Sequence, residues 1–213
     1  MMLIKTFTFN DFYENTYLVY DNSKECAIID PGCNTKIERD ELINFIEDHK
    51  LKPVLLLNTH CHIDHILGNL YISSKYNLPL GSHKGEQTVL DSGKQVSMMY
   101  NIPYDVSPDI SVFYKDGDEI TFGLTTLKVL FTPGHSPASI CFYEENSKKL
   151  IAGDVLFEGS IGRTDLPGGD YETLINSIKN KLFVLPDDVK VFPGHGNSTT
   201  IGHEKRTNPF FND

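Results

Sequence analysis

The sequence predicts an α/β fold in which strands and helices are interleaved along one continuous domain. Short segments rich in β-branched and aromatic residues recur from Leu3 to Phe192, with polar turns between them. Two longer segments, residues 36–49 and 171–185, instead carry apolar residues at helical spacing. With 213 residues, 39% of them hydrophobic, the chain is long enough to bury a sizeable core.

The predicted elements follow one another in a regular order. Three strands come first, then a helix at residues 36–49 that leads into a buried strand. A second group of strands is followed by a helix that ends before Pro186, since proline cannot continue a helix. The strands are expected at residues 3–9, 17–20, 27–29, 54–57, 125–131, 140–143, 150–152 and 189–192.

Histidine and aspartate residues stand directly after four of these predicted strands. His60 follows residues 54–57, and the other three are His135, Asp154 and His195. Open α/β sheets place ligand sites at strand ends, so these side chains are expected to converge on one cleft.

The segment His60-Cys61-His62-Ile63-Asp64-His65 carries the densest group of metal-binding side chains. In an extended loop His60, His62 and Asp64 would project to one side and His65 to the other, so that one loop supplies two adjacent ions. Imidazole and carboxylate ligands suit zinc, iron or manganese, and a small number of protein ligands per ion is typical of catalytic sites. Cys61 is interpreted as packed and inert.

Pro-Gly precedes both His135 and His195, a turn signal that lets the backbone pass close to an ion. Asp154 follows a glycine as well, and its two carboxylate oxygens could bridge two cations. Asp165 is expected either to orient a ligand histidine or to cap a turn. The remaining histidines, which lack such a setting, are expected at the surface or outside the ligand set: His49, His83 and His203.

Charge and cysteine content narrow the class of protein. The formal net charge of -10 disfavours binding to nucleic acid and to anionic membrane surfaces. The four cysteines show no paired C-x-x-C spacing, which favours reduced thiols. The N-terminus has no basic segment followed by a long apolar stretch, so a cytoplasmic protein is expected.

The motif His60-x-His62-x-Asp64-His65, followed in order by His135, Asp154 and His195, resembles the metallo-β-lactamase-fold superfamily. The resemblance covers nearly the whole chain. It implies a four-layer αββα sandwich and two divalent metal ions per chain, zinc first among the candidates, with iron or manganese as alternatives.

Within that superfamily, residues 153–157, 159–170 and 200–210 are similar to short bacterial glyoxalase II-like proteins. This implies a hydroxyacylglutathione hydrolase-like thioesterase acting on a small-molecule thioester of the S-D-lactoylglutathione type. It also implies one domain over residues 1–213, without the C-terminal helical glutathione-binding region of longer members. The alternatives are an iron-dependent persulfide dioxygenase, which shares a related Gly-Arg-Thr-Asp segment, a lactonase-type hydrolase, and a metal-binding protein without turnover.

The resemblance also implies roles for individual residues. His60, His62 and His135 would hold one ion, Asp64, His65 and His195 the other, and Asp154 would bridge them. A hydroxide between the ions would attack the thioester, with Asp64 as an additional proton acceptor. Arg163 would either anchor an anionic substrate or pair with an acid to hold its loop, and residues 86–104 and 171–185 would either border the cleft or form ordinary core and surface.

Overall fold

Residues 1–212, which the computed structural model describes, form two six-stranded β-sheets and a small two-stranded hairpin. The first sheet has its strands side by side in chain order: β1 (Leu3–Phe9), β2 (Glu14–Tyr20), β3 (Glu25–Ile29), β4 (Lys52–Leu57), β5 (Leu80–Ser82) and β6 (Ile110–Phe113).

The second sheet is formed by the later part of the chain. In spatial order from one edge it contains β7 (Glu119–Phe122), β8 (Thr125–Phe131), β9 (Ile140–Glu144), β10 (Lys149–Gly153), β13 (Lys190–Pro193) and β14 (Thr199–Thr200). The hairpin of β11 (Leu156–Phe157) and β12 (Ser160–Ile161) lies between β10 and β13 in the chain.

Helices complete the described part of the chain. Their bounds are α1 (Lys36–Asp48), α2 (Ile63–Ile66), α3 (Asn69–Tyr76), α4 (Gln87–Tyr100), α5 (Tyr171–Ser177) and α6 (Ile201–Thr207). A 3-10 turn, Lys84–Glu86, precedes α4, and a π-helical turn, Ile178–Leu182, follows α5. None of the helices within residues 1–212 is both long enough and apolar enough to cross a membrane.

Three buried clusters show how the layers stack. On β2, Tyr17 and Val19 pack between the two sheets, while Leu18 packs on the opposite face against α1. This alternation follows from the two-residue period of a strand, and both faces are apolar because both are covered. The helices α5 and α6 cover the outer face of the second sheet in the same way. The order of layers is therefore helix, sheet, sheet, helix, which confirms the predicted αββα fold class.

Strand direction brings the ends of separate strands to one edge. In the first sheet, β3 and β4 are parallel. In the second, β10 is parallel to β13, and β8 runs the same way because both β8 and β10 are antiparallel to β9. The carboxyl ends of β3, β4, β8, β10 and β13 meet where the sheets are bonded to each other, for example by the Tyr17 hydroxyl, which donates to the Pro193 carbonyl at 2.5 Å.

The predicted strands and the first helix lie within a few residues of their observed bounds. The short strands β5 to β7 and the helices α2, α3, α4 and α6 were not predicted as such. The predicted helix at residues 171–185 is only partly right, because α5 ends at Ser177 and passes into the π-helical turn. The predicted domain limit, Asp213, lies outside the described residues.

The inter-sheet core generates a stability prediction. Phe142 on β9 is fully buried between the sheets, so Phe142→Ala removes a large side chain from a packed layer. We expect a loss of about 3–5 kcal/mol in the free energy of unfolding, measured by urea denaturation. The control is Phe113→Ala, whose side chain is 54% exposed and whose replacement should change stability by about 0.5 kcal/mol or less. Equal losses in both variants would contradict the assigned core.

Candidate metal centre

Seven side chains converge at the edge where the strand ends meet. His60 and His62 lie in the loop after β4, and Asp64 and His65 are on α2. The other three follow β8, β10 and β13 and are His135, Asp154 and His195. The structure therefore brings together all seven residues that the sequence predicts as metal ligands, and their role as ligands stays a proposal.

His60, His62 and His135 form the first group of three, called here the first triad. One ring nitrogen of each lies within 4.8 Å of one from the other two. The Nδ1 atom of His62 is 2.9 Å from the Nε2 atom of His135. Three converging imidazole nitrogens are a ligand set that suits a divalent transition metal.

Asp64, His65 and His195 form the second triad, with ligand atoms likewise within 4.8 Å of one another. The Oδ2 atom of Asp64 is 3.1 Å from His195 Nε2 and 3.5 Å from His65 Nε2. The grouping corrects the expected alternation, in which Asp64 projects with His60 and His62. A short helix begins at Ile63, so the loop is extended only as far as His62, and Asp64 turns to the side of His65.

Asp154 lies between the two triads. Its Oδ1 atom is 3.4 Å from His65 Nε2, and its Oδ2 atom is 3.5 Å from both His135 Nε2 and His195 Nε2. The Asp154 carboxylate therefore faces both triads. A residue that bridges two cations would need this position.

The buried polar atoms of this centre fit metal ions. Among the described residues, the Nε2 atoms of His60 and His65 and the Oδ1 atom of Asp154 are buried without a hydrogen-bond partner. A buried polar atom left unpaired costs free energy, and buried charges are normally paired or coordinate metals. The donor set of imidazoles and carboxylates, together with these unpartnered atoms, indicates that the site binds divalent metal.

Burial keeps two members of the first triad, His60 and His62, ready to bind a cation. Desolvation, with His135 nearby, lowers the pKa of His62 to about 4, and desolvation holds the pKa of His60 well below its usual range. Both rings are therefore neutral at neutral pH, the state in which imidazole binds metal. Burial alone would raise the pKa of Asp154, but His65 beside it holds that pKa well below its usual range, so the carboxylate is ionised.

Two histidines of the centre are oriented by backbone carbonyls. The Nδ1 atom of His135 is 2.8 Å from the Arg163 carbonyl oxygen, and that of His195 is 3.0 Å from the Phe12 carbonyl oxygen. A ring whose Nδ1–H donates to a carbonyl presents Nε2 as the ligand atom. In both residues Nε2 is the atom that faces Asp154.

The glycine before His195 is required by close approach. A Cβ atom on Gly194 would lie 2.0 Å from Asp154 Oδ1 and 2.8 Å from His65 Cε1. Any larger residue would displace members of the centre, as expected from the Pro-Gly signal.

Asp30, at the end of β3, was missed by the sequence analysis. Its carboxylate accepts hydrogen bonds from the Thr59 backbone N–H at 2.7 Å and the Thr59 hydroxyl at 2.6 Å, and its Oδ2 atom is 3.2 Å from His65 Nδ1. It therefore fastens the start of the loop that carries His60 and His62, and it faces His65 of the second triad. The signal was present in Asp30-Pro31-Gly32, since an acid directly after a strand and before Pro-Gly resembles the setting of the other site residues.

Arg163 and Asp165 pair with each other. The guanidinium donates from Nε at 2.7 Å and from Nη2 at 2.6 Å to the two carboxylate oxygens. For Asp165 the expected alternatives are to orient a ligand histidine or to cap a turn. Its carboxylate pairs with the Arg163 guanidinium, and it is the Arg163 carbonyl that lies beside His135. The substrate-binding role of Arg163 stays a prediction.

A cleft of about 1050 Å³ opens above the centre. One face of α4 lines it, including Val89, Val96 and Tyr100, so residues 86–104 do border the cleft. Met98 and Met99 lie on the outside of α4, where they are exposed. Helix α5 does not line the cleft, because it packs on the outer face of the second sheet. The lining is mainly apolar, which suits a substrate with an uncharged region beside the reacting bond.

The other predicted positions lie outside the two triads. His49 stacks on Phe45, and His203 is exposed on α6. His83 caps the 3-10 turn, where its Nδ1 accepts from the Gly85 backbone N–H at 3.1 Å. Cys61 packs into the core beneath the first sheet.

Comparisons with known proteins identify the superfamily that this chain resembles. The family model of the metallo-beta-lactamase superfamily matches residues 9–195. A relative from Haemophilus influenzae, the hydroxyacylglutathione hydrolase GloC, is 39% identical over 203 residues, which is 94% of each chain.

Two solved structures are similar over almost the full length. The B3 metallo-beta-lactamase BLEG-1 has a TM-score of 0.89 at 34% identity, covering 99% of this chain and 100% of its own. TTHA1623 in a di-iron-bound form has a TM-score of 0.87 at 33% identity, covering 97% of this chain and 99% of its own.

The buried thiols generate a reactivity prediction. Burial raises the pKa of Cys26, Cys33 and Cys141 to about 12 and that of Cys61 well above its usual range. The thiolate is the reactive form, so the folded protein should not react with Ellman's reagent at about pH 8, and all four thiols should react after unfolding in guanidinium. Cys61 adjoins the cleft but is 1% exposed. Rapid modification of its thiol in the folded protein would show that it is accessible and not inert.

Proposed function

Because the chain belongs to the metallo-beta-lactamase superfamily, we propose that it is a binuclear metal-dependent thioesterase that acts on hydroxyacyl thioesters of the S-D-lactoylglutathione type. The observation that carries the proposal is the pair of triads joined by Asp154 at the floor of an apolar cleft. The relative named as a hydroxyacylglutathione hydrolase, similar over 94% of its length, supports the thioester substrate.

Each triad would hold one divalent ion, proposed to be zinc, with Asp154 shared between them. Iron or manganese would suit the same ligands, and a similar protein is known in a di-iron-bound form. Two bound ions would supply Lewis acidity, activating a water at neutral pH and polarising the thioester carbonyl. No serine or cysteine nucleophile is then needed, in agreement with the burial of all four thiols.

The chain itself would contribute positioning and a proton acceptor. The carbonyls of Phe12 and Arg163 hold the rings of His195 and His135 at fixed angles. The Asp64 carboxylate, which faces His195 at 3.1 Å, is proposed to take up the proton released when water attacks. The departing thiolate is a weak base, so its release needs little help from an acid.

The cleft would select the substrate by its apolar wall and its charges. Val89 and Val96 on α4 would offer an uncharged surface beside the reacting bond. The rings of Phe12 and Tyr100, which also line the cleft, pack edge to face with their centroids 5.7 Å apart. Arg163 is proposed as the anchor for a substrate carboxylate, which would replace Asp165 as the partner of the guanidinium. Because all four thiols are reduced and buried, the protein is proposed to work in the cytoplasm.

The central test combines metal analysis with three assays on the same purified protein. We expect about two metal ions per chain, release of thiol from S-D-lactoylglutathione, and loss of that activity after chelation with recovery on adding zinc back. Metal-loaded protein that releases no thiol would contradict the thioesterase proposal. Oxygen uptake with glutathione persulfide and about one iron per chain would favour the dioxygenase, and opening of a chromogenic β-lactam would favour an activity like that of BLEG-1.

Asp64 is tested by Asp64→Asn, which keeps the shape of the side chain and removes its basicity. We expect kcat to fall by about 100-fold or more at equal metal content, since general base catalysis contributes factors of this size. Metal content must be measured beside kcat because Asp64 is also a proposed ligand. Unchanged turnover at full metal occupancy would rule out its role as proton acceptor.

A further inference from the structure

Glu86 is a fully buried carboxylate outside the seven proposed ligands and does not line the cleft. It ends the 3-10 turn before α4. Its Oε2 atom accepts from the Cys61 backbone N–H at 2.9 Å, and its Oε1 atom accepts from the Ala138 backbone N–H at 2.8 Å. The Ser136 hydroxyl lies 2.7 Å from both oxygens.

Two hydrogen-bond partners of Glu86 are sequence neighbours of the three members of the first triad. Cys61 lies between His60 and His62, and Ser136 directly follows His135. One carboxylate therefore ties a loop of the first sheet to a loop of the second, at the point where the two loops present their imidazoles to each other.

The turn that carries Glu86 is shaped to reach between these loops. A Cβ atom on Gly85 would lie 2.6 Å from the Cβ of Ala138, so the turn passes the second loop too closely for a residue larger than glycine. His83 holds the turn by accepting from the Gly85 backbone N–H. Burying a carboxylate is unfavourable unless its hydrogen bonds are satisfied, and here both oxygens have donors.

We propose that Glu86 is a positioning residue that holds the first triad in its metal-binding arrangement and acts on that triad selectively. The proposal rests on the metal centre proposed above. The second triad has other supports, since His65 faces Asp30 and His195 is bonded to the Phe12 carbonyl. Loss of Glu86 should therefore weaken one ion site and leave the other nearly unchanged.

Glu204 on α6 provides a matched control. It too is fully buried, and it accepts from the Gly159 backbone N–H at 3.0 Å, the Thr199 hydroxyl at 2.5 Å and the Asn208 amide at 2.8 Å. These bonds fasten the β11–β12 hairpin and the C-terminal helix, and none of its partners adjoins a member of the first triad. Glu204→Gln thus removes an equally buried carboxylate from a part of the fold that does not hold the first triad.

The experiment measures zinc affinity in the full-length protein by competition with a chromophoric chelator. In Glu86→Gln one side-chain oxygen becomes an amide N–H₂, which cannot accept a hydrogen bond. One of the two backbone N–H groups therefore loses its acceptor, and the tie between the loops is weakened. We expect the affinity for one zinc equivalent to fall by about 10–100-fold, while the other stays within about 3-fold. In Glu204→Gln both affinities should stay within about 3-fold of the parent protein.

Two further variants assign the affected equivalent. His135→Ala should remove the first-triad equivalent and His195→Ala the second, and the equivalent weakened in Glu86→Gln must be the one lost in His135→Ala. If Glu86→Gln does not yield folded protein, Ser136→Ala, which leaves both backbone bonds of Glu86 in place, should weaken the same equivalent to a smaller degree.

Every outcome bears on the proposal. Unchanged affinities in Glu86→Gln, or in Ser136→Ala where that variant carries the test, would overturn it. An equal fall at both sites, or the same fall in Glu204→Gln, would show a general loss of stability and would also overturn it. A parent protein that binds no zinc, iron or manganese would contradict the metal centre itself, whereas a parent protein with two zinc ions and insensitive variants would contradict the role of Glu86 alone.

Discussion

The structure depends on one constraint, which is the burial of unpartnered imidazole nitrogens and carboxylate oxygens at the shared edge of two sheets. Within the described part of the chain, His60, His65 and Asp154 each hold such an atom out of contact with water. Burial of this kind is costly unless a cation or a hydrogen-bond partner compensates it. The surrounding backbone and side chains keep the atoms of this shared edge in position.

The support is spread over several elements because no single element could supply it. Carbonyls of Phe12 and Arg163 orient two histidines, and carboxylates of Asp30 and Glu86 fasten the loops that carry others. The edge itself is held by direct bonds between the sheets, including the one from the Ile140 backbone N–H to the Thr59 carbonyl at 2.9 Å. The geometry of the centre is thus a property of the whole sandwich.

Local chemistry explains what could be predicted from the sequence. Three kinds of signal depend only on neighbouring residues: metal-binding residue types at strand ends, turn signals before histidine, and strongly patterned strands such as residues 3–9. These local signals pointed to the fold and to all seven candidate ligands. The strands β5 to β7 have three or four residues each and carry too little periodicity to be recognised. The roles of Asp30 and Glu86 arise from partners 25 or more positions away, which a pattern of neighbours does not contain.

The two triads have a shared consequence for folding, since each one combines side chains from both halves of the chain. His60, His62, Asp64 and His65 follow β4 of the first sheet, whereas His135 and His195 follow strands of the second. Neither half of the chain can assemble a complete triad before the halves have docked. Binding of an ion by either triad would therefore be linked to docking of the halves, and by mass action an ion bound there would favour the docked state over any form in which they have separated. The proposed metal centre would in this way also hold the two halves of the chain together.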